Sequence, residues 1–294
     1  MTQTGTAGFI RLFVSGRRGL PMDNRYIGVF DSGIGGLTSI PYIMRMMPYE
    51  RIIFFGDTAR TPYGSKAAET ITQFTMQIGD FMMRNNVKML VAACNTISSV
   101  SLGALREKYP DVPVIGTIYP TSKVVARDCA PDARIGIIGT KATVRSSTYL
   151  ERIKKKNPEM EHIYQISCPA FVPLIEEGII DNEIMDMTIH YYLDDFIRDN
   201  KIDTLVLACT HYPLISDNLK RLYPDIRLIS SSKEVATAVR IELEKRDMFA
   251  NSENERRENF FYASDLSENF IDMIQLILKN EQEALNIRFK NLDL

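Results

Sequence analysis

The sequence predicts a mainly parallel α/β fold built as two related halves, and three observations carry that prediction. Short apolar, β-branched runs recur along the 294 residues, stretches of helical length separate them, and two sequence patterns return in the same order further along. Runs that are apolar throughout, rather than alternating with polar residues, suit strands covered by helices on both faces. Strands and helices in alternation then imply a parallel sheet.

The first runs are YIGVF (26–30), RIIFF (51–55), VKMLVAA (87–93) and VPVIG (112–116). A second set follows: ARIGIIG (133–139), HIYQIS (162–167), DTLVLA (203–208) and IRLIS (226–230). Between them, residues 67–86 and 183–200 have helical length. In the latter, Ile184, Met187, Ile189, Tyr191, Tyr192 and Phe196 are expected to form the apolar face. ENERRENFFYASD, from Glu253, is polar and reads as a solvated loop. IGVFDSG at Ile27 resembles IGIIGTK at Ile135, 108 residues on, and LVAACNT at Leu90 resembles LVLACTH at Leu205, 115 residues on. Two pairs at similar spacing point to halves of common plan.

Composition removes several function classes. Lysine and arginine number 35 against 37 acidic residues, a formal charge of −2, so the basic excess of a general nucleic-acid binder is missing. No apolar run reaches the roughly 18 residues a membrane span needs. Four cysteines without a Cys-x-x-Cys pair, and histidines only at 162, 190 and 211, supply neither a disulfide scaffold nor zinc-ligand spacing. No metal is expected, and reduced thiols in a cytoplasm are. Residues 1–21 carry Arg11, Arg17 and Arg18 ahead of the first acidic residue, Asp23. Their apolar part is too short and broken for a targeting peptide, so they read as a disordered extension or as sequence upstream of a true start at Met22.

Cys94 and Cys209 each end a predicted strand and open a loop or helix. Ligands of parallel α/β units bind outside the carboxyl ends of the strands. Helix N-termini add unpaired N–H groups and positive partial charge, a setting expected to lower a thiol's pKa. Burial in the core accounts for Cys129 and Cys168. Pairing sets the other two apart: if the halves face each other, one sulfur stands on either side of a shared cleft. Two opposed thiols can remove a proton from a carbon and return one to its other face, inverting it.

DSGIGG (31–36) places Asp31 and Ser32 at the same end, with glycines that open backbone N–H groups to an anion. Leu37 and Thr38 follow Gly36, so the dinucleotide-binding pattern G-x-G-x-x-G is not met. FGDTARTPYGSK (55–66) is a donor-rich loop, in which Arg60 and Lys66 read as solvated. CPAFVPLIEEG (168–178) carries Glu176 and Glu177, the latter read as an exposed carboxylate.

Together GVFDSGIGGLT, FFGDTARTPYGSK, ACNT, PVIG, IGIIGTK, CPAFVPLIEEG and LACTHYPL, in that order from residue 26 to about 240, resemble the glutamate racemases of the aspartate/glutamate racemase superfamily. The resemblance implies a cofactor-independent isomerase that supplies D-glutamate for peptidoglycan, and so serves cell-wall biogenesis and cell shape. It implies two pseudo-symmetric α/β domains, with the active site in the cleft between them. The first would comprise 22–118 plus 230–294 with its C-terminal helices, and the second 119–229. Cys94 would act on the D-enantiomer with help from Asp31, and Cys209 on the L-enantiomer with help from His211 and Glu176. Substrate contacts map to Asp31 with Ser32, Tyr63 with Gly64, Asn95 with Thr96, and Thr210 with His211. A homodimer is expected. Activation by a cell-wall nucleotide precursor, which some relatives use, has no support in residues 1–21. Two positions depart from the family pattern, Tyr119 before Pro120 and Ser230 before Ser231, and both are expected to lie outside the chemical core.

Rival readings make different demands. An aspartate or other amino-acid racemase would use the same two thiols, but DTARTPYGSK and CTHYPL follow the glutamate branch. A hydrolase with Cys209 as nucleophile and His211 as base would leave Cys94 without a role. A solute-binding module would have the cleft without the chemistry. Pyridoxal phosphate needs a Schiff-base lysine and a phosphate cradle, for which Lys66 and Lys141 are poor candidates.

Overall fold

The computed structural model describes residues 22–251, 258–278, 285–290 and 292. The extension 1–21 lies outside them. Each of the eight predicted runs is a strand: β1 (Tyr26–Asp31), β2 (Ile52–Gly56), β3 (Val87–Ala92), β4 (Val114–Gly116), β5 (Ile135–Gly139), β6 (Ile163–Ser167), β7 (Thr204–Ala208) and β8 (Arg227–Ser230). Two further strands follow, β9 (Asn259–Ala263) and β10 (Leu285–Phe289). One sheet runs β10-β9-β2-β1-β3-β4 and the other β6-β5-β7-β8, and every pairing is parallel.

The repeat in the sequence is a repeat of topology. β2-β1-β3-β4 and β6-β5-β7-β8 follow the same order, with the IGVFDSG and IGIIGTK patterns on the equivalent strands β1 and β5. LVAACNT and LVLACTH lie likewise on β3 and β7. β2, β3, β5 and β7 are buried along their whole length, which is why their sequences are apolar without alternation.

Two expectations are corrected. The segment read as a solvated loop contains β9, which pairs with β2 and buries Asn259, Phe261 and Ala263 on one face. Three aromatics in a row favour a strand, but the charged residues before them masked the signal. In helix Glu183–Asn200 the buried face is Met185, Ile189 and Leu193, while Ile184, Met187 and Tyr191 are exposed. The apolar residues occupy two faces, and only the one with regular spacing of four meets the core.

Helix Ser231–Lys245 leaves β8 of the second sheet and packs on helix Ile40–Met46 beside the first and on helix Ile118–Asp128. One apolar cluster therefore runs through both halves, from Val29, Phe54 and Val91 to Leu205 and Tyr212, with Val235 and Val239 of the bridging helix inside it. Each such side chain contributes about 1.5–3 kcal/mol on burial, so the halves are joined through shared core. No helix among the described residues is long and apolar enough to cross a membrane.

Candidate active site

The loops leaving the carboxyl ends of β1, β3, β5 and β7 converge. Cys94, two residues past β3, is the residue before helix Asn95–Val100, and Cys209 follows β7 directly and enters the turn before Tyr212–Ile215. Both thiols line one small cavity of about 20 Å³ with Ser32, Tyr63, Gly64, Asn95, Thr96, Thr210 and His211.

On the Cys94 side, Ser32 Oγ lies 3.3 Å from Cys94 Sγ and donates at 3.3 Å to Asp31 Oδ1. Asp31 is fully buried at the end of β1 and also accepts from the Gly33 N–H at 2.9 Å and from Thr210 Oγ1 at 3.0 Å. Burial pushes the Asp31 carboxyl up against the pull of His211 and these donors. Burial, then the Asp31 charge, raise the Cys94 thiol to about 12. The expected lowering at a helix start is overturned here, because desolvation and an adjacent carboxylate outweigh one short helix.

The Cys209 side has the opposite sign. His211 Nδ1 is 3.8 Å from Cys209 Sγ, and its Nε2 is 2.9 Å from Glu176 Oε1. Burial lowers the imidazole's pKa, but the bonds to Cys209 and Glu176 outweigh it and raise the group to about 10. His211 is therefore a cation at neutral pH. Glu176 ends helix Phe171–Glu176 and Glu177 beyond it is exposed, as expected. Gly35 lets the DSGIGG turn lie against this pair: a Cβ there would stand 2.5 Å from His211 Nδ1.

Tyr63 is held from below. Its hydroxyl bonds the buried carboxylate of Asp57, which also takes Arg60 Nε at 2.7 Å and Ser264 Oγ at 2.7 Å. Arg60 is thus paired rather than solvated, and Ser264 is delivered by the strand β9 that the sequence reading lacked. Burial, with the neighbouring Asp57 charge, drives the Tyr63 phenol well above its ordinary range, keeping it a donor. Across the cleft Thr140 Oγ1 meets Thr96 Oγ1 at 2.9 Å and lies against Gly64. Thr140 lines the cavity, and the sequence reading missed it. Its signal was available: in IGIIGTK it holds the place of Ser32 in IGVFDSG.

Cys129 and Cys168 are buried, and neither lines the cavity between Cys94 and Cys209. Tyr119 is exposed beneath the cations of Arg152 and Lys156, each 5.7 Å from its ring. The Ser230–Ser231 departure is not remote from the site: Ser231 Oγ accepts from the Asn95 amide at 3.1 Å.

Comparison with known proteins fits this geometry. Residues 44–239 match the Asp/Glu/Hydantoin racemase family model. The glutamate racemase of Persephonella marina is 41% identical over 87% of this chain and 94% of that relative, and that of Geobacter metallireducens 39% over 87% and 98%. The crystal structure of the Francisella tularensis glutamate racemase in complex with D-glutamate superposes with a TM-score of 0.84 at 36% identity, covering 92% of this chain and 99% of that one. The chain belongs to the Asp/Glu/Hydantoin racemase family and, within it, to the glutamate racemases.

Proposed function

We propose that the chain interconverts L- and D-glutamate without a cofactor, with Cys94 and Cys209 exchanging protons at opposite faces of the α-carbon. One observation carries the reading: two thiols from equivalent ends of equivalent strands line the same cavity. Cys209 as thiolate takes the α-proton of L-glutamate, the electron pair remains on the α-carbon and spreads into its carboxylate, and Cys94 delivers its thiol proton from the other side. The products are D-glutamate, a Cys209 thiol and a Cys94 thiolate. After product release, loss of a proton from Cys209 to water and gain of one from water at Cys94 restore the starting state, and the D-enantiomer follows the same steps in reverse.

The surroundings suit these roles. The His211 cation, held by Glu176, stands beside Cys209, whereas burial and Asp31 keep Cys94 protonated. L-glutamate thus meets base on one side and acid on the other. For D-glutamate the Cys94 proton has a path through Ser32 to the Asp31 carboxylate. Asp31, Ser32, Tyr63, Gly64, Asn95, Thr96, Thr210 and His211 are assigned as the substrate contacts. Because the hydroxyls of Ser32, Tyr63 and Thr210 already donate to Asp31 and Asp57, the hydrogen bonds of these three residues to the substrate carboxylates are assigned to their backbone N–H groups. We assign 22–118 plus 230–294 to one domain and 119–229 to the other, a division that the presence of two separate sheets supports. A cytoplasmic homodimer that feeds peptidoglycan synthesis accompanies this reading, and light scattering tests the dimer.

Incubation of L-glutamate in deuterium oxide tests the chemistry. The wild type should introduce deuterium at the α-carbon with inversion, and folded Cys94→Ser and Cys209→Ser should each lose racemisation by about 10²–10⁴-fold. Activity retained in Cys94→Ser would leave a Cys209 nucleophile acting alone, and inversion of aspartate but not glutamate would move the substrate.

A further inference from the structure

Tyr149 belongs to helix Thr148–Lys156 of the second half and is fully buried. Core packing accounts for its ring but not for its hydroxyl, which crosses to the first half. There it donates at 2.6 Å to Oδ1 of Asn95, the residue after Cys94. Thr117, just past β4, donates to the same oxygen at 2.9 Å. On the other side of the amide, Asn95 Nδ2 donates to Ser231 Oγ at 3.1 Å, and Ser231 gives its own proton to the Leu207 carbonyl at 3.2 Å. Ser231 can then only accept from Asn95, which fixes the two ends of the amide. Oxygen faces Tyr149 and Thr117, nitrogen faces Ser231, and one amide hydrogen remains on a residue that lines the cavity. Burial raises the Tyr149 phenol's pKa, so it stays a donor.

We propose that Tyr149 is a positioning residue: with Thr117 it holds the Asn95 amide so that its remaining N–H donates to a carboxylate of the bound glutamate. The proposal rests on the racemase reading above. The opposite orientation would present a carbonyl oxygen to the substrate's negative charge. The arrangement is reciprocal, since Thr210, the residue after Cys209, is held by Asp31 of the first half at 3.0 Å. Each half orients the residue beside the other half's thiol, so the site is complete only when the halves meet.

Tyr149→Phe keeps the ring and removes the donor. The KM for glutamate should rise about 5- to 20-fold, with kcat changed by less than about threefold. On an Asn95→Ala background the same substitution should add nothing, because its effect passes through that amide. An unchanged KM, or an equal factor on both backgrounds, would overturn the proposal. Thr117→Val removes the other donor to the same oxygen and faces the same two outcomes should Tyr149→Phe not fold. A purely structural role would lower the melting temperature without a KM effect that depends on Asn95. A wild type that does not racemise glutamate removes the racemase reading and this one with it. An active wild type with an indifferent Tyr149→Phe removes this one alone.

Discussion

His211 stands between a thiol and a carboxylate, and its charge depends on both. Glu176→Gln keeps the side chain's shape but removes the negative charge. His211 should then lose its proton at lower pH, moving the alkaline limb of the kcat/KM profile down by about one unit. Because the equilibrium constant of a racemisation is unity, both enantiomers must show the same shift in kcat/KM. An unmoved limb would mean that the His211 proton does not control Cys209. The same group links stability to pH. Its folded pKa of about 10 lies above the ordinary 6.5, so the proton's contribution is complete below about pH 6.5 and is lost as pH rises through 10. The melting temperature of Glu176→Gln should accordingly fall less between pH 7 and 10 than that of the wild type. Single residues also mark where the sequence stopped being informative. Cys94, Cys209, Asp31 and His211 sit in motifs with unusual composition, whereas Asp57 and Tyr149 act from beneath the cavity and look like ordinary strand-end and core residues.

At the scale of elements, the turn after β1 is the most constrained piece. A Cβ on Gly35 would come within 2.5 Å of both His211 Nδ1 and Thr210 Oγ1, two groups of the cavity. Gly35→Ala should cost about 1–3 kcal/mol in unfolding free energy. Its kcat/KM should fall about a hundredfold, because misplacement by about an ångström is enough for that. Gly103, inside helix Leu102–Lys108 with nothing within 4 Å of a built Cβ, is the matched control. Gly103→Ala should stabilise by about 0.4–1 kcal/mol and leave racemisation unchanged. Chemical denaturation and initial rates on the two variants separate crowding from a general intolerance of alanine. Strands were most legible where burial on both faces made them apolar, as in β2, β3, β5 and β7, whereas the less buried β6 and β8 were read from their β-branched and aromatic residues. β9 alternates Asn259, Phe261 and Ala263 inward with Phe260 and Tyr262 less buried, and its pairing with β2 and β10 reveals it. Helix Glu183–Asn200 was legible in extent but not in rotation, because exposed Tyr191 and buried Leu193 carry the same hydrophobic signal.

Over the whole molecule, the ends of the strands opposite the cavity need closing, and a buried ion pair does this. Lys88, at the start of β3, has its ammonium 2.6 Å from Glu50 Oε2 and donates to the backbone carbonyls of Asp23 at 2.7 Å and Met248 at 2.6 Å. Glu50 Oε1 accepts from the Ala250 N–H at 2.8 Å. One lysine thereby ties the segment before β1 and the segment after the bridging helix to the first sheet. Burial lowers its pKa, opposed by Glu50, so the pair stands on mutual attraction against a desolvation cost. Lys88→Met would strand a carboxylate in the interior and leave two carbonyls without their donor. Equilibrium unfolding should show a loss of about 3–5 kcal/mol, and Lys88→Met with Glu50→Gln should recover part of it by removing the uncompensated charge. Lys88 and Cys94 are six residues apart along an extended strand, about 20 Å. Racemisation per folded molecule, measured well below the melting temperature, should therefore match the wild type in both variants. A selective fall in kcat with stability intact would instead mean that this end of the sheet sets the position of the Cys94 thiol.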